Sequence, residues 1–418
     1  MAIRIIRRIK YSLTSLPAEY YQYSALGFLF WAAMAGTSFT TVYLQNLNFS
    51  ALQIGSMNAA FMAINIVAPP FWGVISDKLR SVKKVFAICM IASMIVWFLL
   101  PHTVRWFSPL IVLIVLPIYR FTGTPTQTLL DGWMVRYVNN DRRVGFGAIR
   151  MWGSVGWTII AVSYGFMLKT APLDIVFYGY ALFAVPCVIL ALFIKEFQTD
   201  AADGAPRRTL SLREMQLGRI IGNKPLIAYL VFNFILYTPI MAAFTFMPFL
   251  VEAAGGQSSF MGLISGGEAL LEIPLLFFSA RLIKRFKTTD LVIFCACLYT
   301  AEITLYSFCQ SPWQVLFVHC IHGLGYGLYL SCMVQYVFRL APKGLTATAQ
   351  TMIACSNALA GIAGNLAGGA IINALGVRVF FRYSGIFMLL AVAAYILWLR
   401  LYGGGDGEGN GEDGGGFA

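Results

Sequence analysis

Charged residues inside long apolar stretches are the first feature with chemical content. Arg120, Thr124, Gln127 and Asp131 follow one another at intervals of four, three and four residues, which sets them on one helix face. Arg150, Ser154 and Trp157 form a second such stripe, and Ser265, Glu268 and Glu272 a third. Glu302 stands alone in an apolar stretch, and His319, His322 and Tyr326 share a fourth face. A charge at the middle of a bilayer costs a few kcal/mol or more, so it faces a cavity or a partner. A guanidinium and carboxylates can fork onto neighbouring hydroxyls, and an indole can cover the apolar side of a ring. Asp131 and Arg150 are expected to pair beside such a cavity, Arg120 suits substrate contact, and His319 reads as a core histidine.

Other chemistries find no support. The eight cysteines lie in apolar stretches, and Cys295 and Cys297 are two apart, on different helix faces. No zinc set, nucleophile–base arrangement in a loop or glycine-rich phosphate cradle stands out. The expectation is no enzyme, no metal and no cofactor. The net charge of +12 comes from basic residues in short loops rather than on one face, so nucleic acid is not an expected partner.

The elements that must position these residues follow from composition. Of 418 residues, 59% are hydrophobic and 11% charged, against roughly 25% charged in soluble domains. Lipid must cover what polar residues do not. Apolar windows of about 20 residues, the length that crosses a hydrocarbon core, recur near 22–45, 52–76, 83–101, 108–137, 147–168, 174–195, 225–251, 259–281, 289–309, 313–339, 346–374 and 379–401. The fold class is therefore an all-α membrane protein of twelve spans. Arg4 to Lys10, Lys78 to Lys84, Arg136 to Arg150, Lys195 to Lys224, Arg281 to Lys287, Arg339, Lys343 and Arg400 put 25 of the 30 Lys and Arg on one side. The opposite side has Arg105, Lys169, Arg378 and Arg382. This bias predicts both termini in the cytoplasm and a multi-pass protein of the cell (inner) membrane.

The chain divides in the middle. Residues 1–195 form one six-helix bundle, 196–224 a polar cytoplasmic loop, 225–401 a second bundle, and 402–418 a disordered Gly-rich acidic tail. The segment Leu210 to Ile221 is amphipathic and suits the inner membrane surface. GVISDKLRSVKKV after the second span has a fainter echo, FFSARLIKRFKTTD, after the eighth, which supports two repeated, pseudo-symmetric halves.

These segments carry a family resemblance. GVISDKLRSVKK is similar to the loop signature of the major facilitator superfamily, with Gly73, Asp77, Lys83 and Lys84 in the places of its structural inner gate. Val144 to Trp157, VGFGAIRMWGSVGW, and Gly266 to Leu271, GGEALL, resemble the fifth and eighth helices of the lactose-permease-like proton symporters. The His-Gly on the tenth span, FRLAPKGLTATAQ and GNLAGG resemble the wider group that includes phenylpropionate-type permeases. The resemblance implies a sugar site of Asp131, Arg150, Trp157, Glu268 and His322. The chain departs from the permease pattern in having Leu271 where the pattern has an amide and Gly325 where the pattern has a carboxylate; the pattern's ninth-helix arginine has no counterpart, and Glu302 stands nearby.

The implied function is proton-coupled symport of a small polar organic solute, a sugar or glycoside, by a monomer whose partners are substrate, protons and lipid. Glu272 lies one turn beyond Glu268, and two carboxylates so close resist joint ionisation. With Glu268 committed to substrate, Glu272 ranks first as proton site, Glu302 second, and His322 is their partner. Two other readings stay open. One is a symporter or uniporter of an aromatic acid or nucleoside, suited by Arg120 and Arg150. The other is a non-transporting membrane sensor.

Overall fold

The computed structural model describes residues 17–140, 145–196, 217–342 and 345–402. They form twelve long helices: α1 Ala18–Asn46, α2 Ala51–Leu79, α3 Val82–Trp106, α4 Val112–Asn140, α5 Phe146–Met167, α6 Ile175–Phe193, α7 Lys224–Ala253, α8 Phe260–Arg285, α9 Thr288–Tyr306, α10 Pro312–Leu340, α11 Thr346–Leu375 and α12 Val377–Tyr402. Each overlaps one expected span. Ten are long and apolar enough to cross a membrane by length and composition alone. The other two, α5 and α8, carry Arg150 and the Glu268/Glu272 pair. No strand occurs among the described residues.

The helix starts have local causes. Ser50 and Ser311 each open a reciprocal capping box, with Gln53 and Gln314 reaching back to the cap backbone. Ser81 and Asn223 accept from the first free N–H groups of α3 and α7. At the turn between α11 and α12, Gly376 adopts a φ of 87°, which a side chain would strain.

Packing repeats between halves. In the first half α1 packs on α5 and α6, α2 on α4, and α3 on α4 and α6. In the second, α7 packs on α11 and α12, α8 on α10, and α9 on α10 and α12. Each pair recurs six helices later, so the twelve helices form two pseudo-symmetric six-helix bundles. The most extensive contacts between the halves are α2 with α11 and α5 with α8, and the same six-helix shift exchanges these two pairs.

The basic segments Arg4 to Lys10, Arg142 and Arg143, the loop 197–216, Lys343 and the tail 403–418 lie outside the described residues. Of the amphipathic segment, Leu217–Ile221 is a short helix. Tyr402, counted with the tail in the sequence, closes α12. Near the expected gate, the Lys83 ammonium donates to Leu192 O and Ile194 O (3.1 and 3.2 Å), and Glu196 accepts from Ser81 Oγ at 2.6 Å. These bonds clamp α3 to the end of α6 within one half.

The halves approach most closely, backbone to backbone, toward the end at which α1 runs into α2 and α7 into α8. A Cβ on Gly55 would come within 2.3 Å of Asn365 O, and one on Gly262 within 2.2 Å of Ala161 O. Gly369 and Gly165 meet the opposite backbones of α2 and α8 in the same way. Above this contact, Gln45 Nε2 donates to Glu252 Oε2 at 3.0 Å across the halves. A cavity of about 410 Å³ lies beside it, lined by Asn46, Phe249, Gln257 and Ser258 among others. At the opposite end, Gly73 and Gly147 meet nothing within 4 Å. Glycine contacts thus bring the described parts of the two halves together at the end of the α1–α2 and α7–α8 turns.

Removing that close approach should reverse the state. Gly262→Val and Gly369→Val each place branched carbon where backbone now lies. Spin labels on the α1–α2 and α7–α8 turns of the detergent-solubilised protein should then move apart. Unchanged label distances in both variants would mean that these glycines do not hold the seal.

Candidate substrate and proton site

The second half holds a closed polar square. Glu268 on α8, Glu302 on α9 and His319 and His322 on α10 meet where these three helices pack. Gly323 makes the approach possible, because a Cβ there would lie 2.5 Å from Glu268 O. Each imidazole turns Nε2 to Glu268 and Nδ1 to Glu302. For His319 the N–O distances are 3.1 and 3.3 Å, and for His322 they are 3.7 and 3.0 Å. The rings stack at 5.5 Å with 14° between planes. Tyr306, one turn beyond Glu302, donates to Glu302 Oε1 at 2.5 Å, and the same hydroxyl lies 2.5 Å from His319 Nδ1. Glu302 is only 2% exposed, whereas the Glu268 side chain is 20% exposed and forms the mouth of the square. Phe244 on α7 sets its ring edge-on to His322 at 4.8 Å.

Proton accounting follows from donor and acceptor roles. Tyr306 gives its proton to Glu302, so His319 Nδ1 must carry one to donate to Tyr306. A proton must also lie between His319 Nε2 and Glu268 Oε2, and another between His322 Nδ1 and Glu302 Oε2. Only His322 Nε2 has no hydrogen-bond partner. With a proton there, two imidazoliums balance two carboxylates. Without it, the square carries one net negative charge. The protonation of this one nitrogen switches the cluster between neutral and anionic.

The first half is looser. Arg150 and Asp131 do not form the expected ion pair: Asp131 Oδ1 and Arg150 Nη1 both lack a hydrogen-bond partner, and no ion pair joins them. The cause is packing. Helix α5 lies along α1 and α8, while α4 lies along α2 and α3. The guanidinium of Arg150 instead sits over Trp31 of α1, 4.3 Å from the ring centroid. Gly153 leaves room for that indole, since a Cβ there would be 2.3 Å from Trp31 Cδ1. Trp157 meets Trp31 edge-on at 5.8 Å, and its Nε1 donates to Ser265 O on α8 at 3.2 Å, across the halves.

The two sides converge at Tyr326 on α10, half-buried and within electrostatic reach of Glu272, Glu268, Arg150 and Asp131. Glu272 is half-buried and within reach of Arg150. Gln127, on the Asp131 stripe, is exposed although it lies mid-helix. These groups border the space between the halves. Arg120 lies about 16 Å from Asp131 along α4 by the helical rise, with its guanidinium 5.3 Å from the Phe61 ring centroid on α2.

The structure thus brings Glu268, Glu302 and His322 into one cluster and sets Asp131, Arg150, Trp157 and Glu272 around the interface. Arg120 stands apart. His319, Tyr306 and Trp31 complete the site without having been singled out for it. Their signal lay in spacing: His319 is three residues before His322, and Tyr306 four after Glu302. Gly325, where the permease pattern has a carboxylate, leaves space that the Tyr299 ring fills at 3.1 Å.

Comparisons with known proteins agree with this architecture. The model of the MFS_1 like family matches residues 20–383. The maltose permease of Geobacillus stearothermophilus is 26% identical over 88% of this chain and 91% of its own. The lactose permease of Klebsiella oxytoca is 23% identical over 74% and 77%. The crystal structure of the nucleoside transporter NupG superposes with a TM-score of 0.77 over 92% of this chain and 100% of that one, at 15% identity.

Removing one member of the square should leave its partners uncompensated. His319→Ala should cost about 3–5 kcal/mol, the usual effect of breaking a buried charged pair, read as a lower thermal midpoint in detergent. Glu268→Gln combined with His319→Ala should cost less than the sum of the single changes. Additive losses would show that the two side chains do not interact.

Proposed function

The chain belongs to the MFS_1 like family of major facilitator transporters, and from that premise we propose proton-coupled symport of a small polar organic solute, a sugar or glycoside, by alternating access. The observation that carries the coupling is the unpartnered His322 Nε2 inside an otherwise satisfied square. In this reading the transported proton binds there, beside Glu268 at 3.7 Å, and neutralises a cluster that must pass through a closed, dry state. Glu302 is the buried counter-charge, and Glu268 is the carboxylate that both proton and substrate address. Sugar hydroxyls would take the free valences of Asp131, Arg150, Glu268 and Glu272, and the Trp157 indole would cover a ring face. Glu272 thereby moves from first to second candidate for the proton, because it lies within reach of Arg150 and Glu268 but takes no part in the hydrogen bonds of the square. Gly73, Asp77, Lys83 and Lys84 are kept as a structural inner gate, and the Lys and Arg bias supports a cell-membrane protein with both termini cytoplasmic.

Transport of a nucleoside or aromatic acid is the second reading. It is favoured by the NupG likeness and by the aromatic rings of Phe244, Trp157 and Tyr326 around the interface.

Proteoliposomes with an imposed pH gradient separate these roles. His322→Gln and Glu302→Gln should lose pH-driven accumulation yet keep downhill exchange, and Glu272→Gln should lower affinity while accumulation persists. Loss of accumulation in Glu272→Gln alone would return the proton to α8. A nucleoside that outcompetes every sugar would move the substrate to the second reading.

Arg150→Ala removes a cation within electrostatic reach of both Asp131 and Glu272. Substrate affinity should fall at least about 10-fold, as for a lost charge-assisted hydrogen bond. Equilibrium binding that is unchanged in this variant would end the assignment of Arg150 to the substrate.

A further inference from the structure

Arg120 is a cation that the symport scheme leaves without a counter-charge. Its Nε is buried without a hydrogen-bond partner. No ion pair or hydrogen bond is formed by its guanidinium among the described residues, which leaves the Phe61 face as its contact. The helices packed on α4 offer no nearby acid. Helix α3 has none, α5 has none, and α2 has only Asp77, sixteen residues beyond Phe61. Asp131 is eleven residues away on α4 itself. Yet Arg120 shares its helix face with Gln127 and Asp131, which border the space between the halves. Beside it, Thr124 Oγ1 donates to Asn65 Oδ1 at 2.9 Å, a polar patch joining α4 to α2. An unpaired cation at membrane depth is costly, so its retention points to an anion that arrives from the cavity.

We propose that Arg120 binds a carboxylate of the transported solute, which makes the substrate class a sugar acid rather than a neutral sugar. The inference rests on the transporter reading above and narrows its substrate. Its geometry also sets a length. The separation of Arg120 from Asp131 along α4, about 16 Å, exceeds one sugar ring. A disaccharide-sized acid, one sugar ring joined to an open-chain aldonate, reaches both, with hydroxyls on Asp131 and Arg150 and its terminal carboxylate forked on the Arg120 guanidinium. Phe61 shields that contact from water on one side.

The test compares matched probes on the purified full chain. Maltobionate and maltitol, and lactobionate and lactitol, differ in a terminal carboxylate against a hydroxymethyl group. Equilibrium binding in detergent should favour each acid at least about 10-fold. Arg120→Gln should reduce the ratio to about one, and Arg120→Lys should keep part of it, because a point charge remains but the fork is lost. Equal binding of acid and alcohol by the unaltered protein overturns the proposal, as does binding of neither acid. Equal weakening of both probes in Arg120→Gln also overturns it, and so does full displacement of the acids by millimolar chloride. Should Arg120→Gln fail to fold, the unaltered protein and Arg120→Lys still decide the matter. Because binding is read without a gradient, a failure of proton coupling appears separately, as bound acid that the pH gradient does not accumulate in vesicles.

Discussion

A carboxylate that cannot reach water must be met by donors, and Glu302 shows how far the second half is organised by that requirement. It is nearly sealed within α8, α9 and α10, and it takes the Tyr306 hydroxyl and two imidazoles. A single buried anion in lipid would be costly. Two carboxylates and two imidazoles distribute that cost, and they can change their joint charge by one proton without moving a helix. The close approach at Gly323, the Tyr299 ring packed against Gly325 and the edge of Phe244 all serve to hold these four side chains in contact.

The first half answers a different demand. Its polar groups are left with open valences: Asp131 Oδ1, Arg150 Nη1 and Arg120 Nε have no protein partner. Stacking on Trp31 and Phe61 keeps the guanidiniums in place without consuming their donors. A rigid ring with unsatisfied donors is the arrangement expected of a surface that waits for hydroxyls or a carboxylate. The square of the second half leaves a single ring nitrogen, His322 Nε2, without a partner, whereas in the first half three charged side chains each have an unpartnered atom.

Much of this was readable in the chain. Apolar length and basic loops marked the twelve helices, because lipid imposes both rules on any spanning segment. The stripes on α4, α5, α8 and α10 followed from helical periodicity alone. What periodicity does not contain is which helix faces which. Asp131 and Arg150 look like a pair by charge and proximity in sequence, yet α4 and α5 turn to different neighbours. His319 looked like a core residue because its partners, Glu268 and Glu302, come from helices about fifty and seventeen residues away. Tyr306 was hidden for the same reason, since a phenol near the end of a span gains meaning only once α10 is beside it.

The link between the two halves runs through α5 and α8. Trp157 Nε1 bonds to the backbone of Ser265, three residues before Glu268, and the same turns are those that Gly262 and Gly165 let approach. Opening the sealed end must therefore break the Trp157 contact and draw the Arg150 stripe away from Glu272. In the proposed symport, the Arg150 stripe and the square would lie on the two faces of this interface. A solute bridging Arg150 and Glu268 would hold that interface closed. A proton on His322 Nε2 would remove the net charge of the square, which would otherwise resist closure. Each ligand would thereby favour the state that the other needs, which is the thermodynamic content of coupling.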